Sequence, residues 1–134
     1  MKKGYKIVRN KSGVLWSYTC AINGRINTYG LGRTTKPFKK WGPLSCFEDK
    51  QSLVAFMRKV ISTVTSMADP FWDCEIWECL YRRSNLTCLK DGNGFILHEY
   101  EIPRGTILAS SITLTKKLSF TIEKRSGKIG IQCQ

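Results

Sequence analysis

Between residues 50 and 67, apolar side chains recur at Leu53, Phe56, Met57, Val60, Ile61 and Val64. Steps of three and four put these positions in one stripe of a helix. The spacing predicts a helix from about Lys50 to Met67 with one buried face. Asp49 stands where an N-cap belongs, and Glu48 and Asp49 together suit the positive end of the helix. Asp69 and Pro70 stop it. The Thr and Val residues between 60 and 65 are poor helix formers, so tertiary packing must supply the stability.

Elsewhere the pattern is that of strands. "YKIVR" predicts a first strand over residues 5–9, "NKSG" a turn, and "VLWSYTCAI" a second strand rich in aromatic and β-branched residues. Asn23–Gly24 predicts a tight hairpin, and "RINTYG" returns as a third strand. Pro37, Gly42 and Pro43 keep the next segment from being a regular strand, and "LSCF" resumes one. In "FWDCEIWECLYRR", alternation puts Trp72, Cys74, Ile76 and Leu80 on one face, and Trp77, Cys79 and Tyr81 on the other with Asp73 and Glu75. Apolar groups on both faces predict a central strand that is partly covered on its second side. "SNLTCLKDGNG" reads as a loop or ragged hairpin, "FILHEYEI" as a strand and "PRGT" as a turn. "ILASSITL" reads as another strand, and "LSFTIEK" and "KIGIQC" as a closing hairpin split at "RSG". The prediction is a single α+β domain over residues 1–134: one mostly antiparallel sheet with one main helix packed on one face. The helix and the Trp72 strand are expected to build its core.

A chain of 134 residues can hide roughly two thirds of its extended surface, enough for one core. No apolar run approaches the roughly 18 residues of a membrane helix. The opening "MKKGYKIVRNKSG" has a basic flank but no apolar stretch or small-residue cleavage site behind it, so the expected location is the cytoplasm. That expectation turns the six cysteines into buried thiols rather than a disulfide framework. Cys74 and Cys79, the tightest pair, are separated by an odd step and face opposite sides of a strand, which disfavours zinc.

Charge changes the picture more. The net charge is +12, and its distribution is uneven. Residues 1–47 carry ten bases and no acid, residues 48–101 nine acids against six bases, and residues 102–134 six bases and one acid, Glu123. If the two ends of the chain fold together, their cations form one basic surface suited to nucleic acid, a phosphorylated nucleotide or an acidic protein.

The stretch "LGRTTKPFKKWGPLSCF" concentrates the candidate chemistry. Arg33, Lys36, Lys39 and Lys40 would meet phosphate, Phe38 and Trp41 would stack on bases, and Thr34 and Thr35 would donate hydrogen bonds. Gly30 and Gly32 can expose backbone N–H groups to an anion. The alternative is a loop whose Phe38 and Trp41 tuck into the core while its lysines face water. Lys124 and Arg125, at a predicted hairpin tip, are further candidates, as are Arg9 and Arg25 if they share a sheet face with Tyr29. Arg82 and Arg83 can belong to either surface, and Lys116, Lys117 and Lys128 add to the C-terminal charge. Enzyme chemistry is thin. His98 is the only histidine, and in a strand it points away from Glu99. "GLG" lacks the full dinucleotide pattern, and Ser110 and Ser111 lack a nucleophile elbow. No cofactor, catalytic residue or metal is expected.

The opening "YKIVR", the "TKP" before "GPLSCF", the following helix with Phe56, and "PRGTILAS" before a closing strand resemble small uncharacterised domains encoded by phages and prophages. The resemblance implies a host-interaction or counter-defence role and assigns no residue. The strand–"GPLSCF"–helix order is also similar to ADP-ribosyltransferase folds, but the arginine or histidine, serine and late glutamate of those enzymes are not matched. The expected function is non-catalytic binding of a phosphate-bearing polyanion. The alternatives are a phage-type inhibitor of an acidic host protein and a divergent ADP-ribosyltransferase-like enzyme.

Overall fold

The structure is a computed structural model that describes residues 1–18, 28–37, 43–63, 69–86, 88–90, 96–98, 102–123 and 128–133. In chain order its elements are β1 (Lys2–Lys11), β2 (Val14–Ser17), β3 (Thr28–Tyr29), β4 (Thr34–Thr35), β5 (Leu44–Phe47), α1 (Lys50–Thr63), β6 (Cys74–Arg83), β7 (Cys88–Lys90), β8 (Ile96–His98), β9 (Thr106–Glu123) and β10 (Lys128–Cys133). Every strand pairing among them is antiparallel. One main sheet holds eight strands, and β7 and β8 form a separate hairpin. The fold is α+β, and no helix among the described residues is long and apolar enough to cross a membrane.

The main sheet curls on itself. β6 lies between β1 and β9. β5 pairs with β9 over four positions and with β1 at Tyr5–Phe47, so β1, β6, β9 and β5 close a ring. Inside it sit Val8, Leu44, Cys46, Cys79, Tyr81, Ile107, Ala109, Ile112 and Leu114, joined by Leu15 and Tyr29 from β2 and β3. Alternation sends the other side chains outward, and there a second apolar layer forms. Ile7, Ile76, Leu118 and Ile129 meet Leu53 and Met57 of α1, with Phe71 between. β6 is thus covered on both faces, as its two-sided pattern predicts.

Three sequence expectations change. First, "ILASSITL" and "LSFTIEK" are one strand, β9. Its register against β6 slips twice, so Thr115 and Ser110 are extra residues. Such bulges bend and twist a strand, which lets β9 serve the ring at one end and the helix layer at the other. Second, Trp72 is not in β6. Residues 70–73 form a turn that leaves Trp72 78% exposed and drives Phe71, 1% exposed, into the core instead. The Phe71 amide donates to Asp69 Oδ1 at 2.9 Å, and its ring stacks on Tyr18 at 5.2 Å. Third, Leu80 is 36% exposed, because α1 does not reach that far along β6.

The start of α1 is as predicted. Asp49 Oδ1 accepts the Ser52 amide at 2.7 Å, and this bond holds the Asp49 carboxyl below its ordinary range. Asp49→Ala is expected to cost about 1 kcal/mol at neutral pH. A depressed folded-state pKa contributes stability above the unfolded carboxylate range and loses it as pH falls through the folded value. The gap between wild type and variant should therefore close at pH about 2, in paired urea titrations at the two pH values. The proposed end of the helix at Met67 lies outside the described residues, as does the Asn23–Gly24 hairpin.

Candidate polyanion-binding face

The outward face of the sheet is divided by α1. One row across it, Ile7–Ile76–Leu118, lies under the helix. The next row, Tyr5–Glu78–Lys116, is the border. Beyond it Lys3, Leu80, Thr113 and Thr34 are successive partners across β1, β6, β9 and β4. Arg82 faces Ser111 one row further. Lys36 follows Thr35, whose partner is Ile112, so Lys36 comes level with Ser111 as well. Lys3, Thr34, Lys36, Arg82 and Lys116 are all exposed. Rows on one face of a strand repeat roughly every 7 Å, so the cations spread over an area about 14 Å long.

The arrangement is basic and rich in hydroxyls. Thr34 and Thr113 Oγ1 lie 3.0 Å apart. Among the described residues Glu78 is the only acid in the border row and the rows beyond it, and Lys3 pairs with it at 3.0 Å. Lys3 and Lys50 each hold an ammonium 6.0 Å from the centre of the Tyr5 ring. Neutral hydroxyls and excess cations on an open sheet suit phosphate oxygens, which accept from both.

Of the phosphate contacts expected in the 30s stretch, this face takes up Thr34 and Lys36. Arg33 is exposed on the turn before β4, where its amide donates to Gly30 O at 3.2 Å. Residues 32–35 are held to the sheet rather than free: Gly32, at φ +67°, donates its amide to Leu114 O at 3.4 Å, and β4 pairs with β9. Thr35 turns its hydroxyl to Thr28 O at 3.3 Å. Arg9 lies elsewhere, near the far end of β1. Its guanidinium donates to both Asp73 oxygens, at 2.8 and 3.0 Å, and covers the Tyr18 ring at 4.6 Å. It does not stand beside Tyr29, which is 4% exposed inside the ring, because the two strand positions face opposite sides. The cation over the Tyr29 ring is Lys6, at 5.3 Å. Arg25, Phe38, Lys39, Lys40, Trp41, Lys124 and Arg125 lie outside the described residues.

A groove of about 460 Å³ opens at the start of β6, between the exposed Trp72 and Phe120. Its charges are matched in pairs. Asp73 holds Arg9, and Glu75 holds Lys117 at 3.4 Å. Burial pushes the Glu75 carboxyl up, but hydrogen bonds from Asn10 at 2.7 Å and Trp77 Nε1 at 3.0 Å, with Lys117, outweigh it and leave the carboxyl below its ordinary range. The groove therefore lacks the cation surplus of the open sheet face.

Sequence reasoning assigns no role to Lys3 and leaves Arg82 and Lys116 without a face. Their common face depends on register, although the shared parity of Leu80 and Arg82 is a local signal for part of it. No group of three metal-binding side chains occurs among the described residues. Comparison of the chain with family models, with curated proteins and with solved structures gave no match.

Proposed function

We propose that the chain is a non-catalytic binding protein for a phosphate-bearing polyanion, and that the open half of the outward sheet face is its binding surface. The observation that carries this reading is the grouping of Lys3, Lys36, Arg82 and Lys116 around Thr34 and Thr113, with Glu78 as the one acid there among the described residues. The acid-free first 47 residues supply β4 and β5, and both pair with β9 of the C-terminal part, so the two basic ends of the chain do fold together.

A nucleic-acid strand fits this surface better than a mononucleotide. The cations are spread over several rows, so a single phosphate group reaches few of them. Contacts of this kind go to the backbone and carry no sequence information. Four such contacts predict a slope of about −3 in log affinity against log salt for a single strand. The triple variant Lys36→Ala/Arg82→Ala/Lys116→Ala should lower that slope by about 2 and weaken binding, with an unchanged melting curve, because all three side chains are exposed. Fluorescence anisotropy with a labelled single-stranded oligonucleotide over a salt series measures both quantities. Equal affinity and slope in the variant would reject the face. A stoichiometric complex with an acidic protein that survives moderate salt, without oligonucleotide binding, would favour the inhibitor reading instead.

A further inference from the structure

Trp72 is the one exposed aromatic side chain among the described residues. It takes no part in the core, yet its backbone is fixed. The Phe71 amide donates to Asp69 Oδ1, the Trp72 amide to Asp69 O at 3.4 Å, and the Cys74 amide to Phe71 O at 3.0 Å. Asp73 is tied to Arg9, and Phe71 is buried beneath the turn. A pinned turn thus holds a large indole in water at the rim of the groove of about 460 Å³. A platform that is held in place before a ligand arrives loses little freedom when one binds.

The groove sets narrow terms for a ligand. Its size is that of a small-molecule site. Trp72, Leu118 and Phe120 give it apolar walls, and Asn10, Glu75 and Lys117 a polar one. Asp73 is matched by Arg9 and Glu75 by Lys117, so the site as a whole is neutral. An anion would meet the carboxylates and a cation the guanidinium and ammonium, so neither sign is favoured. The polar wall still has capacity. The Lys117 side chain is 43% exposed and its carboxylate contact is 3.4 Å long, which leaves ammonium donors for a ligand. Glu75 accepts from Asn10, Trp77 and Lys117, and a carboxylate offers about four acceptor sites.

We propose that this groove binds a neutral saccharide, with one sugar ring laid on the Trp72 indole and its hydroxyls turned to Glu75 and Lys117. A pyranose suits both kinds of wall at once. Its C–H face is apolar and packs on an aromatic ring, and each of its hydroxyls both donates and accepts. Hydroxyls on neighbouring carbons can meet a carboxylate and an ammonium that already stand 3.4 Å apart. The ligand brings no charge, so the ion pairs stay matched. This site is separate from the basic sheet face, because the helix-covered row Ile7–Ile76–Leu118 lies between Lys116 on that face and Phe120 in the groove.

Maltotriose, cellotriose, mannotriose, chitotriose and lactose are titrated into the isotope-labelled full chain while the indole N–H signals are followed by NMR. The Trp72 signal is identified by its loss in Trp72→Ala, or in Trp72→Phe should the alanine variant not fold. At least one saccharide should shift that signal saturably, with a Kd in the millimolar range or tighter. Calorimetry should show Trp72→Ala weakening that saccharide by about tenfold or more, and Trp72→Phe by less, since a smaller platform remains. Added salt should leave the saccharide affinity unchanged, and so should Lys36→Ala/Arg82→Ala/Lys116→Ala, although both are expected to weaken oligonucleotide binding. The two sites therefore stand or fall separately. The proposal is overturned if no saccharide shifts the Trp72 signal, if the affinity survives both Trp72 variants, or if adenosine or uridine binds at Trp72 and the saccharides do not.

Discussion

Phe71→Ala should destabilise the protein by about 4 kcal/mol, the range for emptying a large buried aromatic site. The residue is 1% exposed and stands where α1, β6 and the Tyr18 ring converge. The Asp69 carboxylate and the Arg9–Asp73 pair hold the turn on either side of it, so the backbone has little freedom to collapse into the void. Domains of this size are stable by only about 5–15 kcal/mol, so the variant should be close to its limit. Urea titration followed by tryptophan fluorescence should show a lower midpoint with an unchanged slope. Trp72→Ala, next to it in sequence and 78% exposed, should change stability by about 0.5 kcal/mol or less. A loss under about 1 kcal/mol for Phe71→Ala would mean that α1 is not anchored through this ring.

Gly4→Ala is expected to be nearly as damaging, at about 3 kcal/mol, although it adds one methyl group. Its Cβ would lie 2.9 Å from the Phe47 carbonyl oxygen and 2.9 Å from Tyr81 Cδ1. The first is backbone of β5, and the second belongs to a ring that is 4% exposed, so neither yields without moving a strand. The methyl would push β5 from β1 at the point where Tyr5 and Phe47 close the ring. Thermal melts and amide exchange at β5 would register the change. A variant with wild-type stability and unchanged protection at Leu44–Phe47 would mean that the closure is not needed for the fold.

The start and the buried stripe of the helix were readable because their signals are local: a three-and-four stripe and an Asp at the cap. β6 was readable for the same reason, since Trp77, Cys79 and Tyr81 keep their predicted side. Trp72 misleads because the alternation runs on through "FWDC" although the chain is turning there. Phe71 then wins the core position because Asp69 fixes the turn. Thr115–Lys117 mimics a turn within β9, whereas these residues are polar because they are exposed around a bulge. Lys6 shares its parity with Val8 in "YKIVR", but alternation alone cannot tell that a carbonyl and an aromatic ring await it inside. The basic surplus of the chain ends was plain from composition. Which cations share a face depends on the pairing of residues far apart in sequence, such as Thr34 with Thr113.

The reach of β9 also governs the order in which the molecule can be made. It supplies partners to β4, β5, β6 and β10, three of which precede it in the chain. A nascent polypeptide that has not yet released β9 from the ribosome holds β5 and β6 with vacant backbone groups and an open seam. Contacts of such long sequence separation slow folding, and unpaired strands invite association with other chains. Translation pausing upstream of residue 106 is therefore the most hazardous moment in the life of this protein, and the one in which a chaperone has most to offer.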